Sequence, residues 1–274
     1  MAARTPKGVI DPWLGAAAAA GRLVEISGTE TVASQLRPQL IDAFDAVLEA
    51  MAHSEISLSQ AVENNIKKSE SRFPSERVHL DLYDERLYDG KPIPIDEKLH
   101  TKLSIDFEER KIGKKYFVTQ KVFKIKIGDP LTDNIGEEDH YRFHDAFHLA
   151  YAAILGWSPV LRSLFKLKRK SFPHLDENED GARAGLIEEG ISTWVFNAAK
   201  PHYFMGAERV DYNTLKTIKD FTQGYEVEDQ PFWAWEEAIL SGYRVFRELR
   251  DHRGGRVMID LIDRDIRFER RTDK

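Results

Sequence analysis

The pattern of apolar and polar residues changes its period several times along the chain and predicts both helices and strands. Residues 36–53 carry apolar side chains at helical spacing, and Ser57 or Ser59 can cap a second helix that runs to about Arg72. Proline disfavours helix in the residue before it, so Pro74 ends this segment. The pattern therefore predicts a helical hairpin near the start of the chain.

Alternation of apolar and polar residues replaces the helical period in the next region. The segments 103–110 and 114–127 alternate in this way, and the Ile112-Gly113 pair between them is typical of a β-hairpin. A third strand-like segment covers residues 256–270. We expect these three segments to form one antiparallel sheet.

Helical spacing returns between the strand segments, over roughly 137–155, 158–169, 180–199, 211–225 and 231–251. The predicted fold class is α+β and predominantly α-helical, with a small antiparallel sheet against helices. A chain of 274 residues exceeds the usual size of one core. We therefore expect two units, a helical region at 1–75 and an α+β region at 76–274.

Composition and charge restrict the possible functions. The net charge of −6 argues against a protein that binds nucleic-acid backbone by bulk electrostatics. The chain has no cysteine, so disulfides and thiolate metal sites are excluded and a metal must be held by His, Asp or Glu. Neither a signal peptide nor a run of about 18 apolar residues is present, so we expect a cytoplasmic protein without a membrane partner.

Three histidines recur at every fourth residue of a predicted helix. His140, His144 and His148 would lie on one face of that helix, one per turn. Burying three imidazoles costs free energy unless their nitrogens find partners. This face is therefore expected to meet carboxylates, backbone carbonyls, water or a metal.

The partners predicted for these histidines are the carboxylates of the segment 180–199. Glu188 and Glu189 interrupt an apolar stretch, and their side chains diverge by about 100°. We expect Glu188 to face the histidine helix. The candidate catalytic residues are His144, Asp145, His148, Glu188 and Glu189, and the candidate metal ligands here are His140, His144, His148 and Glu188. The alternative is that the histidines only hydrogen-bond the carboxylates and hold two helices together.

Two further patterns allow other interpretations. His144-Asp145-Ala146-Phe147-His148 differs from the HExxH sequence of zinc proteases by an Asp in place of the general base Glu. A zinc hydrolase with Glu188 or Glu189 as the third ligand is therefore an alternative. The basic stretch 162–170, with Lys168 and Lys170 as candidate ligand-binding residues, predicts either a solvated surface or a patch that faces phosphate.

The segment ISLSQAVENNIKKSESRFP, residues 56–74, resembles the MazG-type all-α nucleoside triphosphate pyrophosphohydrolases. The resemblance implies that Asn65, Lys68 and Arg72 contact nucleotide. It also implies that Asp42 and Asp45 occupy the place of the family's ExxD half-site for magnesium. Where the family carries ExxE, the chain reads GAAAAAGRLVE and retains only Glu25, so we expect a degenerate site in this half.

Later segments look like the C-terminal region that accompanies such domains in some bacterial MazG-like proteins. They include HYRFHDAFHLAYAAILGWSPVLR, DGARAGLIEEGIS and FWAWEEAILSGYRVFRELRDHRGGRVMIDL. The resemblance implies a nucleotide ligand, a homodimer or higher homo-oligomer, and hydrolysis of a phosphoanhydride with a divalent metal. Mg²⁺ is the first expectation, with Zn²⁺ or Mn²⁺ as alternatives. A nucleotide-sensing or partner-binding module without turnover is the other possibility.

Overall fold

A computed structural model of the protein describes residues 11–27 and 33–271, and it describes no side chains at 23–27 and 33–35. The chain divides into two compact units, Met1–Pro74 and Ser75–Lys274. Helices and antiparallel strands are both present, and helix predominates. The prediction of an α+β, mostly helical protein is confirmed.

The first unit is a set of helices. α1 covers Pro12–Ser27, α2 covers Ala33–His53 and α3 covers Leu58–Arg72. The backbone N–H of Gln60 donates to the side chain of Ser57 at 3.3 Å, so Ser57 is the cap of α3. The two predicted helices, α2 and α3, are confirmed, but α2 packs against α1 and not against α3 as a hairpin would require. α1, which contains the alanine run, was not predicted.

Two sheets lie in the second unit. A two-stranded ribbon pairs β1 (Leu87–Tyr88) with β2 (Lys91–Pro92). The larger sheet is antiparallel throughout, and its spatial order is β5-β4-β3-β6-β7. Its strands are β3 (Lys102–Ile112), β4 (Lys115–Val122), β5 (Ile125–Leu131), β6 (Gly254–Asp260) and β7 (Asp265–Glu269). The prediction that the three alternating segments share one antiparallel sheet is confirmed.

The number of strands was wrong, because two of the predicted segments each fold back on themselves. The chain turns between β4 and β5 at Phe123 and Lys124, whose φ angles are 49° and 67°. Such two-residue turns usually carry Asn-Gly or Asp-Gly, since both central residues adopt positive φ. Phe-Lys gives no such signal, so the turn could not be read from the sequence.

Six α-helices of the second unit follow and separate these strands: α4 (Asp145–Ala150), α5 (Pro159–Phe165), α6 (Pro173–Asn178), α7 (Ala182–Ala199), α8 (Tyr212–Phe221) and α9 (Phe232–His252). A π-helical turn continues α4 over Tyr151–Leu155. The predicted helix at 158–169 ends early because Lys166 adopts the left-handed conformation. α6 was not predicted.

The core of the second unit lies where α4 packs against α9. The ring centroids of Phe147 and Tyr243 are 4.4 Å apart, and those of Phe147 and Phe246 are 5.4 Å apart. Buried residues of the sheet, including Ile105 and Val118, join the same apolar cluster. This packing fixes α4, which carries His148 and begins directly after His144.

Within the described ranges, no helix combines the length and the apolar character that a membrane-crossing segment needs.

Candidate metal centre

His140 lies outside the helix that carries His148. Its φ is 67°, a 3-10 turn follows at Tyr141–Phe143, and α4 begins only at Asp145. The backbone N–H of Tyr141 donates to Asp139 at 3.1 Å, so the chain turns at this point. The Nδ1 of His140 lies 3.0 Å from Arg142 Nη2. The prediction that His140 shares a helix face with the other two histidines, and a metal with them, is therefore not met by the structure.

The other two histidines each have one ring nitrogen fixed by an acceptor. His144 Nδ1 lies 2.9 Å from the backbone oxygen of Tyr141, and His148 Nδ1 lies 2.8 Å from Glu188 Oε1. Carbonyl and carboxylate oxygens accept, so both Nδ1 atoms carry hydrogen and donate. In the neutral rings both Nε2 atoms then present lone pairs, as a metal ligand requires.

These two Nε2 atoms converge with two carboxylates. Asp145 Oδ1 lies 3.2 Å from His144 Nε2. Glu189 Oε2 lies 3.8 Å from His144 Nε2 and 3.5 Å from His148 Nε2. One donor atom from each of His144, Asp145 and His148 lies within 4.8 Å of the others. His148 Nε2 is buried without a hydrogen-bond partner, so its lone pair is available to coordinate a cation. The donor set fits a divalent metal.

Glu188 supports this centre from behind. Its Oε1 accepts hydrogen bonds from His148 Nδ1 and from Ser158 Oγ at 2.7 Å, and its Oε2 accepts from the backbone N–H of Val160 at 2.8 Å. The prediction that Glu188 faces the histidine helix is confirmed. Both of its oxygens are engaged away from the two Nε2 atoms, however, so it is an orienting residue. The carboxylate that lies beside the two Nε2 atoms is that of Glu189.

The charges around His148 act in opposite directions. Complete burial alone would lower its pKa, but the carboxylates of Glu188 and Glu189 outweigh burial and hold the pKa well above the ordinary value. Burial would likewise raise the pKa of Glu189, while His148 and His144 lower it. Without a metal, the carboxylates stabilise an imidazolium at His148. The centre thus favours positive charge, whether a proton or a cation supplies it.

A cavity of about 480 Å³ opens beside this centre. His144, Asp145 and Glu189 line one part of it, and Gln120 of β4 lies in the same wall. The side-chain amide of Gln120 donates to Asp145 Oδ2. Lys168 also lines the cavity, so a cationic side chain shares one open cavity with His144 and Asp145.

The rest of the basic stretch does not face this cavity. Lys170 is exposed and is not among the lining residues. Arg162 and Arg169 are buried: Arg169 Nη2 lies 2.7 Å from Asp180 Oδ1 and 2.8 Å from Glu226 Oε1. Neither sequence interpretation fits the two arginines, since they are neither solvated nor directed at a ligand. Lys168 alone of the two predicted lysines reaches the cavity.

Glu179 borders this buried ion network and should make stability depend on pH. Burial, together with the charge of Glu226, raises its pKa from 4.5 to about 7, although the backbone N–H of Glu226 donates to it at 2.9 Å. Because the buried carboxyl group resists ionisation, the free energy of unfolding is highest below about pH 4.5, where Glu179 is protonated in both the folded and the unfolded protein. It decreases as the pH rises, and above about pH 7 it is lower by roughly 3 kcal/mol.

The Glu179→Gln variant should therefore show a smaller decrease in the free energy of unfolding between these two pH values, as measured by urea unfolding. The matched control is Glu177→Gln, because Glu177 is exposed in α6, two residues before Glu179. An unchanged pH dependence in Glu179→Gln would assign the titration to another group.

The residues predicted in the first unit lie on two helices. Asp42 and Asp45 are exposed on α2, Asn65 and Lys68 are exposed on α3, and Arg72 is partly buried at its end. Among the side chains that the structure describes, no third carboxylate or histidine lies close enough to Asp42 and Asp45 to form a metal group. The side chain of Glu25 lies outside the described set.

The fold and the site define residues from about 83 onward as an α+β domain with a candidate metal centre beside a cavity. The sequence profile of the family described as the MazG C-terminal domain matches residues 83–272. This match covers more than half of the chain, and the chain therefore belongs to the MazG C-terminal domain family. None of the curated proteins and none of the solved structures compared with the chain matches it.

The family match includes every residue of the candidate metal centre. It begins after the first unit, so the resemblance of residues 56–74 to the all-α nucleoside triphosphate pyrophosphohydrolases stays a prediction. The family places the protein among MazG-related proteins without naming a reaction. The chemistry must be argued from the site.

Proposed function

We propose that the protein hydrolyses a phosphoanhydride bond of a nucleotide with the help of a divalent metal held by His144, Asp145 and His148. One observation carries the proposal: two histidine Nε2 atoms with fixed tautomers meet two carboxylates, and His144, Asp145 and Glu189 of this group line a cavity. Lys168 in the same cavity supports an anionic substrate. Membership in a MazG-related family agrees with a nucleotide ligand.

The donor set favours Mn²⁺ or Zn²⁺ over Mg²⁺. Imidazole nitrogen suits zinc and other transition metals, whereas Mg²⁺ prefers oxygen ligands and keeps several waters. This preference revises the expectation of Mg²⁺ that came from the resemblance. Zinc would also suit the alternative interpretation of the HDxxH sequence as part of a zinc hydrolase.

A bound metal would polarise the phosphoryl group and lower the pKa of a water molecule. The residues of the chain supply the other requirements. Glu189 has a side chain that is 43% exposed beside the histidines, so it can accept the proton of an attacking water. Lys168 can neutralise charge on the phosphates, and Glu188 keeps the His148 ring in the orientation that presents Nε2.

The test combines elemental analysis of the purified protein with a screen of nucleoside triphosphates in the presence of Mg²⁺, Mn²⁺ or Zn²⁺. One metal per chain and metal-dependent release of phosphate or pyrophosphate are expected, and EDTA should abolish both. Metal and nucleotide binding without turnover would favour the sensing module. Zinc with hydrolysis of esters or peptides but of no nucleotide would favour the zinc hydrolase.

We expect the first unit to contribute no metal ligands to turnover. The Asp42→Asn, Asp45→Asn double variant of the full chain should keep kcat/KM within about twofold of wild type, because isolated exposed carboxylates bind Mg²⁺ weakly. Steady-state kinetics with the best substrate of the screen measures this. A loss of turnover comparable to that of His144→Ala would instead locate the chemistry in the first unit.

A further inference from the structure

Gln120 occupies an inward-facing position of β4, where an apolar side chain would be expected. Val118, two residues earlier on the same face of the strand, is completely buried, and Gln120 is 4% exposed. Burying a side-chain amide costs free energy unless its donor and acceptor groups are paired. A glutamine at this position therefore needs an explanation that packing alone does not provide.

The pairing of β4 with β5 is irregular immediately before Gln120. On β5 the segment 128–130 lies opposite Thr119 alone. Gly128 and Asp129 of this segment line the cavity, and so does Gln120. Irregular pairing of this kind often occurs next to functional sites, where it redirects a side chain or interrupts the ladder. Gln120 thus lies on the inner face of the sheet at the wall of the cavity.

The side-chain amide of Gln120 is directed at the metal centre. Its Nε2 donates to Asp145 Oδ2, and its Oε1 is buried without a partner. A carboxylate oxygen only accepts, so the nitrogen must be the atom that faces Asp145. Hydrogen bonds to a charged acceptor are stronger than those between neutral groups. The bond to Asp145 is therefore what holds this side chain in its orientation.

This bond also determines which oxygen Asp145 presents to the two histidines. With Oδ2 engaged by Gln120, Oδ1 lies 3.2 Å from His144 Nε2. When the His144 ring is neutral, its Nε2 carries a lone pair, and two lone-pair donors at this distance repel each other. Without Gln120, the Asp145 side chain could turn away into the cavity. Gln120 thus keeps the two donors together in the metal-free protein.

We propose that Gln120 is a positioning residue of the metal centre, which holds Asp145 ready to bind a divalent cation through Oδ1 alone. Binding through a single oxygen leaves other positions of the ion open to water or to a ligand in the cavity, as a catalytic metal requires. The role rests on the metal centre of the proposed function, but it does not depend on the reaction.

The first experiment compares metal affinity and stability in Gln120→Met, which keeps the length of the side chain and removes the amide. The affinities for Zn²⁺ and Mn²⁺, measured by isothermal titration, should fall at least about tenfold. The melting temperature of the metal-free protein should stay within about 3 °C of wild type, because Asp145 lines the cavity and water can replace the lost donor. Unchanged metal affinity in Gln120→Met would overturn the proposal.

The matched control is Gln230→Met. Gln230 is 1% exposed and its Oε1 also lacks a partner, but its amide donates to the Tyr83 hydroxyl at 3.1 Å and to the backbone oxygen of Leu155 at 3.0 Å. Neither acceptor belongs to the metal group. This variant should lower the melting temperature by about 3–10 °C and leave metal affinity within about twofold. Equal losses of metal affinity in the two variants would show that both amides act only through the fold.

A double-mutant cycle shows whether Gln120 acts through Asp145. Asp145→Ala keeps both histidine ligands, so its weaker metal affinity can still be measured. Adding Gln120→Met to Asp145→Ala should change that affinity by less than about twofold, because the partner of the amide is already gone. A further loss of about tenfold would contradict the proposal, since Gln120 would then act on another group.

The same measurements distinguish this role from the proposed function. Metal binding with the expected coupling, in a protein that hydrolyses no nucleotide, would support the role of Gln120 and refute the proposed reaction alone. Metal-dependent turnover with full metal affinity in Gln120→Met would refute the role of Gln120 alone. A wild-type protein that bound no divalent metal would refute both.

Discussion

The His144→Ala variant is expected to bind a divalent metal at least about a hundredfold more weakly than the wild-type protein and to lose metal-dependent turnover. Its Nε2 is one of two nitrogen donors at the centre, and no other described histidine is grouped with His148 there. The cost in stability should be about 1–3 kcal/mol, because the buried ring loses its hydrogen bond to the backbone of Tyr141 and its stacking on the Tyr141 ring. Isothermal titration with Mn²⁺ or Zn²⁺ and thermal melts measure the two effects.

The matched control is His140→Ala. His140 belongs to the same segment and was expected to be a ligand from the sequence, but it bonds Arg142 and lies outside the metal group. Its removal should leave metal affinity within about twofold. If the two variants lost metal equally, the three histidines would share a metal after all. If neither lost metal, the histidines would serve only to join helices.

The period of apolar residues was enough to predict most of the helices and the membership of the sheet. The long periodic segment 231–251 buries one face, so its pattern and its structure agree. The segment 36–53 also forms the predicted helix, although Leu40 and Phe44 on its apolar face are 55% and 57% exposed. The hairpins at Phe123 and at the end of the chain escaped prediction because their turn residues carry no conformational signature. α6 escaped because a six-residue helix has too few turns to show a period.

The candidate site was only partly predictable. The sequence correctly predicted that His144, His148 and Glu188 lie close together. Residues four apart share a helix face, and a buried carboxylate needs a hydrogen-bond partner. The same rule failed for His140 because the helix begins later than its sequence pattern implies. Gln120 reaches the site from a strand whose alternation marks it as inward-facing but says nothing about what it faces.

Glu188→Ala should destabilise the protein by about 3–5 kcal/mol, the largest loss expected at the site. The carboxylate is completely buried and accepts from His148, Ser158 and the backbone of Val160, so its removal leaves three donors from two other helical segments unsatisfied. Urea unfolding followed by circular dichroism measures the change. A loss below about 1 kcal/mol would mean that water replaces the carboxylate.

The Glu188→Gln and Glu189→Gln variants separate orientation from chemistry. Glutamine at 188 keeps an acceptor for His148 but turns its amide hydrogens toward the N–H of Val160, so stability should fall by about 1–3 kcal/mol and metal affinity about tenfold. Glu189 is 43% exposed, so Glu189→Gln should change stability by less than about 0.5 kcal/mol. It should nevertheless abolish turnover, because the carboxylate beside both Nε2 atoms is lost. Unfolding experiments and kinetics on the two variants should therefore give opposite rankings, and the same ranking in both measurements would contradict the division of roles between these adjacent glutamates.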